Sequence, residues 1–153
     1  MNYLSLAADT ANRSMKKGCG GPFGAVIVKN GKIISFGWNT VLSTCDPTSH
    51  AEVNAIRKAS LKLRSFHLTG CVIYSTTEPC PMCFSAIHWA KIKKIVYATT
   101  IRDVALLGFN ELNISNTKMK KWGKSNVDVV RKKDETCIKL LRDWKNLSHP
   151  KIY

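Results

Sequence analysis

The sequence predicts an α/β fold, and three patterns carry that prediction. A helix-spaced opening segment runs straight into a two-strand hairpin. Between Cys71 and Ala98 an apolar β-branched run, a helical run and a second apolar run alternate, the order expected where helices pack on the faces of a sheet. The whole chain, 153 residues and 44% hydrophobic, has no linker or repeat and the length for one real core, so residues 1–153 read as a single domain.

Tyr3 to Lys17 reads as a helix, because Leu4, Ala7, Ala8, Ala11 and Met15 recur on one face. Gly18, Gly20, Gly21 and Pro22 end it. Phe23 to Val28 is an apolar strand, Asn30-Gly31 a hairpin turn, and Lys32 to Trp38 the returning strand. Glu52 to about Leu63, with Val53, Ile56, Ala59 and Leu63 at helical spacing, is a second helix opened by His50. Cys71 to Ser75 is a strand that delivers Cys80 beyond its end, Cys83 to Ala90 a helix, and Lys94 to Ala98 a further strand. Past Thr100 the pattern weakens. Asp103 to Leu107 is a helical turn, Asn113 to Asn126 is polar and reads as loop, and Glu135 to Trp144 is a last helix carrying Ile138, Leu141 and Trp144.

The chemistry concentrates in two stretches. The first is Asp46-Pro47-Thr48-Ser49-His50-Ala51-Glu52, the second Glu78-Pro79-Cys80-Pro81-Met82-Cys83. His50, Cys80 and Cys83 make three ligands for Zn²⁺, which prefers four, so the fourth position stays open and the ion is catalytic in type. A structural zinc would want a further Cys or His at similar spacing, and none accompanies His50. Cys80 and Cys83 are three apart, as on one helical turn. Pro81 suits a first helical position, so the helix dipole would favour the thiolates that bind metal. Glu52, two residues from His50, cannot point the same way as the ligand but remains beside the open position, where a carboxylate can carry the proton of an attacking water to a leaving amine. Together these residues predict hydrolytic removal of ammonia from an amidine-like ring carbon. Separately each has an ordinary reading: a redox or structural Cys-x-x-Cys, a solvated helix glutamate.

Charge and cysteine usage bound the setting. Twenty-four basic and 10 acidic residues give a net charge of +14. Seven of the bases (Lys118, Lys120, Lys121, Lys124, Arg131, Lys132, Lys133) fall between Lys118 and Lys133 against one acid, Asp128. A nucleic-acid backbone would suit such a patch. A solvated surface is favoured, because the stretch is read as lacking the interleaved aromatics that stack single-stranded bases. Met1 to Gly20 carries Asp9, Arg13, Lys16 and Lys17 and no long apolar core, so neither a signal peptide nor a membrane span is expected. Cys19, Cys45, Cys71 and Cys137 show no disulfide-like pattern, which points to a reducing, cytoplasmic compartment.

From about Leu4 to Asn110 the chain resembles the cytidine deaminase superfamily, and within it the small bacterial guanine deaminases. The residues that carry the likeness are Gly20-Gly21-Pro22-Phe23-Gly24-Ala25-Val26-Ile27-Val28, the two zinc stretches, and Ala86-Ile87-His88-Trp89-Ala90. The resemblance implies a three-layer α/β/α fold with a mixed sheet of about five strands. It also implies one zinc ion per subunit and a homodimer in which the C-terminal segment, about residues 113–153, is open to exchange between subunits. Its pocket roles fall on Asn39 as the hydrogen-bond partner of the base, on Phe23 and Trp89 as aromatic walls, on Ala51 through its backbone, and on Tyr153 as a closing residue. Where those enzymes carry a substrate-binding aspartate this chain has Glu111, a second catalytic carboxylate whose extra methylene reaches about an ångström further. That difference keeps two substrates open, guanine and a smaller or differently substituted amino-heterocycle such as cytosine. A tRNA adenosine deaminase is the alternative that would use the positive charge, although Ile101 to Leu112 lacks the glycine- and alanine-rich loop of that branch. A zinc-stabilised nucleic-acid-binding protein, in which Glu52 would be dispensable, is the reading from another class.

Overall fold

The computed structural model of the chain describes residues 1–109, 112–148 and 150–153. Helix α1 (Tyr3–Lys16) is followed by the strands β1 (Gly24–Lys29) and β2 (Lys32–Trp38), then a single turn α2 (Val41–Thr44) and helix α3 (Ala51–Leu63). Strand β3 (Cys71–Thr77), helix α4 (Pro81–Trp89) and strand β4 (Lys94–Thr99) come next. The chain continues through α5 (Ile101–Ala105), α6 (Asn116–Trp122), β5 (Asp128–Arg131) and α7 (Glu135–Lys145). The result is the α/β fold that the alternation implied.

One mixed sheet orders the strands β2-β1-β3-β4-β5. Asn30 and Gly31 both take positive φ (50° and 74°), the backbone a two-residue turn of this hand requires, so β1 and β2 form the expected antiparallel hairpin. β1 is antiparallel to β3, while β3, β4 and β5 are parallel. Because β2 and β3 both run antiparallel to β1, they finish at the same end of the sheet. His50 follows one of those ends and Cys80 the other, and this brings the two stretches together.

Alternation along β1 feeds both layers. Val26 and Val28 pack with Ala7 of α1, whereas Ala25 and Ile27 join the larger core with Ala51, Ala55 and Ala59 of α3. Small residues on α3 let it lie close to the sheet. Its attachment is also polar: Ser35 donates to the Ala55 carbonyl at 2.8 Å, and the Asn54 amide reaches the Trp38 carbonyl at 2.9 Å. α7 docks on α1, where Asn2 donates to Asp134, the N-cap of α7, at 2.7 Å.

The second half departs from expectation in four places. The polar stretch Asn113 to Asn126 is not loop throughout, since Asn116–Trp122 is helix, capped by Ser115 and anchored by the fully buried Asn116. β5 was not anticipated, because a four-residue edge strand with mostly exposed side chains has little pattern to show. α5 starts two residues early, at a capping box of Thr100 and Asp103. Trp122 is the fourth: it interrupts the basic stretch with an exposed indole, correcting the reading that no aromatic lies there. No helix among the described residues is long and apolar enough to cross a membrane.

Candidate metal centre and active site

His50 and Cys80 are the N-cap residues of α3 and α4, and Pro81 opens α4 as its first helical residue. Two helix starts therefore face each other, as the spacing required. The loop before His50 is tied down by Asp46, which accepts from the Thr48 N–H at 2.8 Å and from the Thr48 and Ser49 hydroxyls at 2.7 and 2.8 Å. Those hydrogen bonds, led by the one from the Thr48 side chain, hold the Asp46 pKa down to about 2.

The Cys80 and Cys83 sulfurs lie 3.7 and 3.6 Å from His50 Nδ1, and the three donor atoms all fall within 4.8 Å of one another. A tetrahedral zinc, with bonds of about 2.0 Å to nitrogen and 2.3 Å to sulfur, sets its ligand atoms about 3.6 Å apart. The donor set and its spacing therefore fit Zn²⁺, one ion per chain. Cys80, accepting from the Cys83 thiol against the cost of burial, has its pKa lowered to about 4, while Cys83, the donor of that pair and deeply buried, is raised well above the usual thiol range.

Glu52 is buried beside this cluster. Its Oε2 lies 3.4 Å from the Cys83 sulfur, and its Oε1 accepts from the Ser75 hydroxyl at 2.9 Å. Burial raises its pKa, and the neighbouring Cys80 charge adds to that. A carboxylate shifted upward in this way holds a proton more readily than a solvated one, as a group that takes and returns a proton needs to.

A pocket of about 320 Å³ opens over the cluster, lined among others by His50, Cys80, Val41, Phe109 and Tyr153. The Tyr153 hydroxyl accepts from the Gly21 N–H at 2.9 Å, and its ring meets Phe109 edge-on at 5.5 Å. Phe23 stands behind Phe109 in a second edge-on contact, 5.1 Å between centroids. Asn39 is buried to 1% exposure; its Oδ1 accepts from the N–H of pocket-lining Val41, while its Nδ2 has no partner among the described residues. A Cβ on Gly20 would collide with the Asn39 side chain and carbonyl, so the close approach of those two segments depends on glycine there.

The structure thus gathers His50, Glu52, Cys80 and Cys83, with Tyr153 at the mouth of the pocket and Phe23 and Asn39 one contact behind its wall. Ala51 lies between His50 and Glu52, fully buried at the first turn of α3. Trp89 is not brought to the pocket: it sits at the far end of α4, 76% exposed. Nine helical residues separate the Cys80 end of α4 from that indole, too far for one chain to use both at a single small cavity. Glu111 lies outside the described residues. Three supporting residues went unread in the sequence. Ser75 was visible as a hydroxyl inside an apolar strand, and Phe109 only as a neighbour of Glu111. Asn116, in a stretch taken for loop, donates through its side chain to the Pro79 carbonyl at 2.6 Å and through its N–H to Glu78 at 2.8 Å, clamping the turn before Cys80.

The family model of the cytidine and deoxycytidylate deaminase zinc-binding region matches residues 1–99. A guanine deaminase of Bacillus subtilis (strain 168) is 39% identical over 151 residues, 99% of this chain and 97% of that protein. A tRNA-specific adenosine deaminase of Aquifex aeolicus is 43% identical over 96 residues, 63% of each chain. Among solved structures, a guanine deaminase from Nitrosomonas europaea superposes with a TM-score of 0.85 at 26% identity, covering 95% of this chain and 84% of that one. A complex with 8-azaguanine superposes at 0.84, also 26% identical, over 94% and 82%. Sheet order, zinc ligands and these matches agree, and the chain belongs to the cytidine and deoxycytidylate deaminase family of zinc-dependent hydrolases.

Proposed function

We propose that this chain hydrolyses guanine to xanthine and ammonia. The observation that carries the reading is Glu52, a buried carboxylate anchored by Ser75 and set against the three-ligand cluster beneath a small pocket. Zinc, when bound, supplies the acidity that makes water nucleophilic near neutral pH. Glu52 takes the proton of the water that attacks the amino-bearing ring carbon, and delivers it to the departing nitrogen so that ammonia leaves. Phe23, Phe109 and Tyr153 exclude solvent around the base, and Asn39 offers its unpaired Nδ2–H to a ring acceptor. Ala51 presents backbone between the ligand and the proton carrier, and Glu111 supplies the second carboxylate.

Guanine is favoured over a tRNA base on two grounds. The Bacillus subtilis guanine deaminase aligns along 99% of the chain, whereas the tRNA-specific relative covers 63%. A cavity of about 320 Å³ is also at the lower end of small-molecule sites. The working form is taken as a cytoplasmic homodimer of single-domain subunits serving purine-base breakdown, with segment 113–153 closing each site through Tyr153. The outward-facing Trp89 supports a partner subunit that would cover it, and the four cysteines outside the metal cluster, none in a disulfide, suit a reducing compartment. Light scattering tests the dimer; a monomer at assay concentration would remove it.

The deciding experiment measures ammonia release by the zinc-loaded chain from guanine, cytosine, adenine, guanosine and cytidine. Turnover of guanine is expected, falling by about 10³-fold in Glu52→Gln with zinc content unchanged. Silence on all five refutes the reading, and inosine formation in a tRNA anticodon loop without guanine turnover replaces it.

A further inference from the structure

A cavity larger than the catalytic one lies elsewhere on the described residues. About 470 Å³ in volume, it lies between the C-terminal half of α1 and the edge strand β2, and it shares no lining residue with the pocket over His50. Phe36 and Trp38, both half-buried, project from β2 into it, and Arg13 on α1 and the C-cap residue Lys17, four residues on and also exposed, form the opposite wall. Ser14 sits between them, with its hydroxyl 3.4 Å from the Asn39 carbonyl.

We propose that this cavity is a second ligand site, specific for a nucleoside 5′-monophosphate. The two walls ask for two different ends of one molecule. Aromatic side chains offer their faces or edges to a planar base, and every base has a π-face. Arg13 contributes a planar fork that matches phosphate oxygens, and Lys17 a point charge beside it. Trp38 is held for this role: the Lys58 ammonium lies 3.5 Å from its ring centroid, and its carbonyl is fixed by Asn54. The volume suits one small ligand rather than a strand. Toward the N-terminus of α1 a polynucleotide would meet exposed Asp9, whose backbone carbonyl accepts from Arg13 Nε at 3.4 Å, so an acidic residue follows the arginine on that side. The site does not depend on which base the catalytic pocket accepts.

The test titrates GMP into the full zinc-loaded chain by calorimetry, alone and with 8-azaguanine at saturation. Binding of one GMP per chain is expected in both cases. Guanosine and inorganic phosphate should each bind at least tenfold more weakly. The double variant Arg13→Gln/Lys17→Gln should lose at least tenfold in GMP affinity while keeping its circular dichroism and its ammonia release from guanine. GMP binding abolished by 8-azaguanine would assign it to the catalytic pocket and overturn the proposal. So would phosphate binding as tightly as GMP, an oligonucleotide binding where GMP does not, unchanged affinity in the double variant, or no GMP binding at all. A chain that ignores 8-azaguanine counts against the guanine reading only, because the Arg13 and Lys17 comparison decides the second site without it.

Discussion

Ser75 donates to Glu52 from the middle of β3, where its neighbours on the same strand are apolar or β-branched, so its hydroxyl has one evident task, to hold the carboxylate in place. Removing it leaves Glu52 buried with one hydrogen bond fewer, at a cost of about 1.5–3 kcal/mol for a bond to a charged group. Ser75→Ala is expected to lower kcat about tenfold with KM little changed, because substrate contacts are untouched. Steady-state kinetics on guanine read this split, and a change confined to KM would contradict it. Asp46 makes a prediction at the same scale. Its folded pKa of about 2 lies below the ordinary 3.8, so the stability it contributes is complete above that ordinary value and fades as pH falls toward 2. Urea denaturation at stepped pH should show this loss in the native chain and a shallower one in Asp46→Asn.

Helix α6 shows how one element can be specified by contacts rather than by pattern. Seven residues, five of them polar, form a helix because Ser115 caps it and Asn116 is locked to Glu78 and Pro79. The lock reaches the metal centre, since Pro79 precedes Cys80. Asn116→Ala should destabilise the fold by about 1–3 kcal/mol, the cost of leaving a buried carbonyl unpaired. It should also weaken zinc binding about tenfold, the usual effect of losing a residue that orients a ligand. Competition with a chromophoric chelator measures the second effect; an unchanged zinc affinity would confine Asn116 to helix stability.

The zinc site joins two segments 30 residues apart in sequence, one carried by α3 and the other by α4, beyond the end of the sheet where β2 and β3 both finish. An ion bound there closes a loop through the whole centre of the molecule. Any ligand of the folded state alone raises stability by mass action, about 4 kcal/mol at a thousandfold excess over its dissociation constant. Stripping the metal with a chelator should therefore lower the melting temperature as well as abolish turnover, and stoichiometric Zn²⁺ should restore both. A melting temperature indifferent to chelator would show that the His50, Cys80, Cys83 cluster does not hold the ion.

Local information was enough for the main helices and strands of the first hundred residues and for the metal ligands. The period of α1, the Asn30-Gly31 turn, the apolar runs of β1, β3 and β4, and the order of ligands around Glu52 can each be read within a few residues of chain, because helix spacing, positive-φ turns and metal chemistry are short-range constraints. Tertiary structure alone decided the rest. Ser75 matters only because α3 lies over β3, and Asn116 only because α6 reaches the Pro79 carbonyl. Trp89 left the pocket because a helix carries its two ends apart, and β5 exists because β4 offered it an edge. Those relations depend on which distant segments meet, and burial, not local preference, selects the meeting.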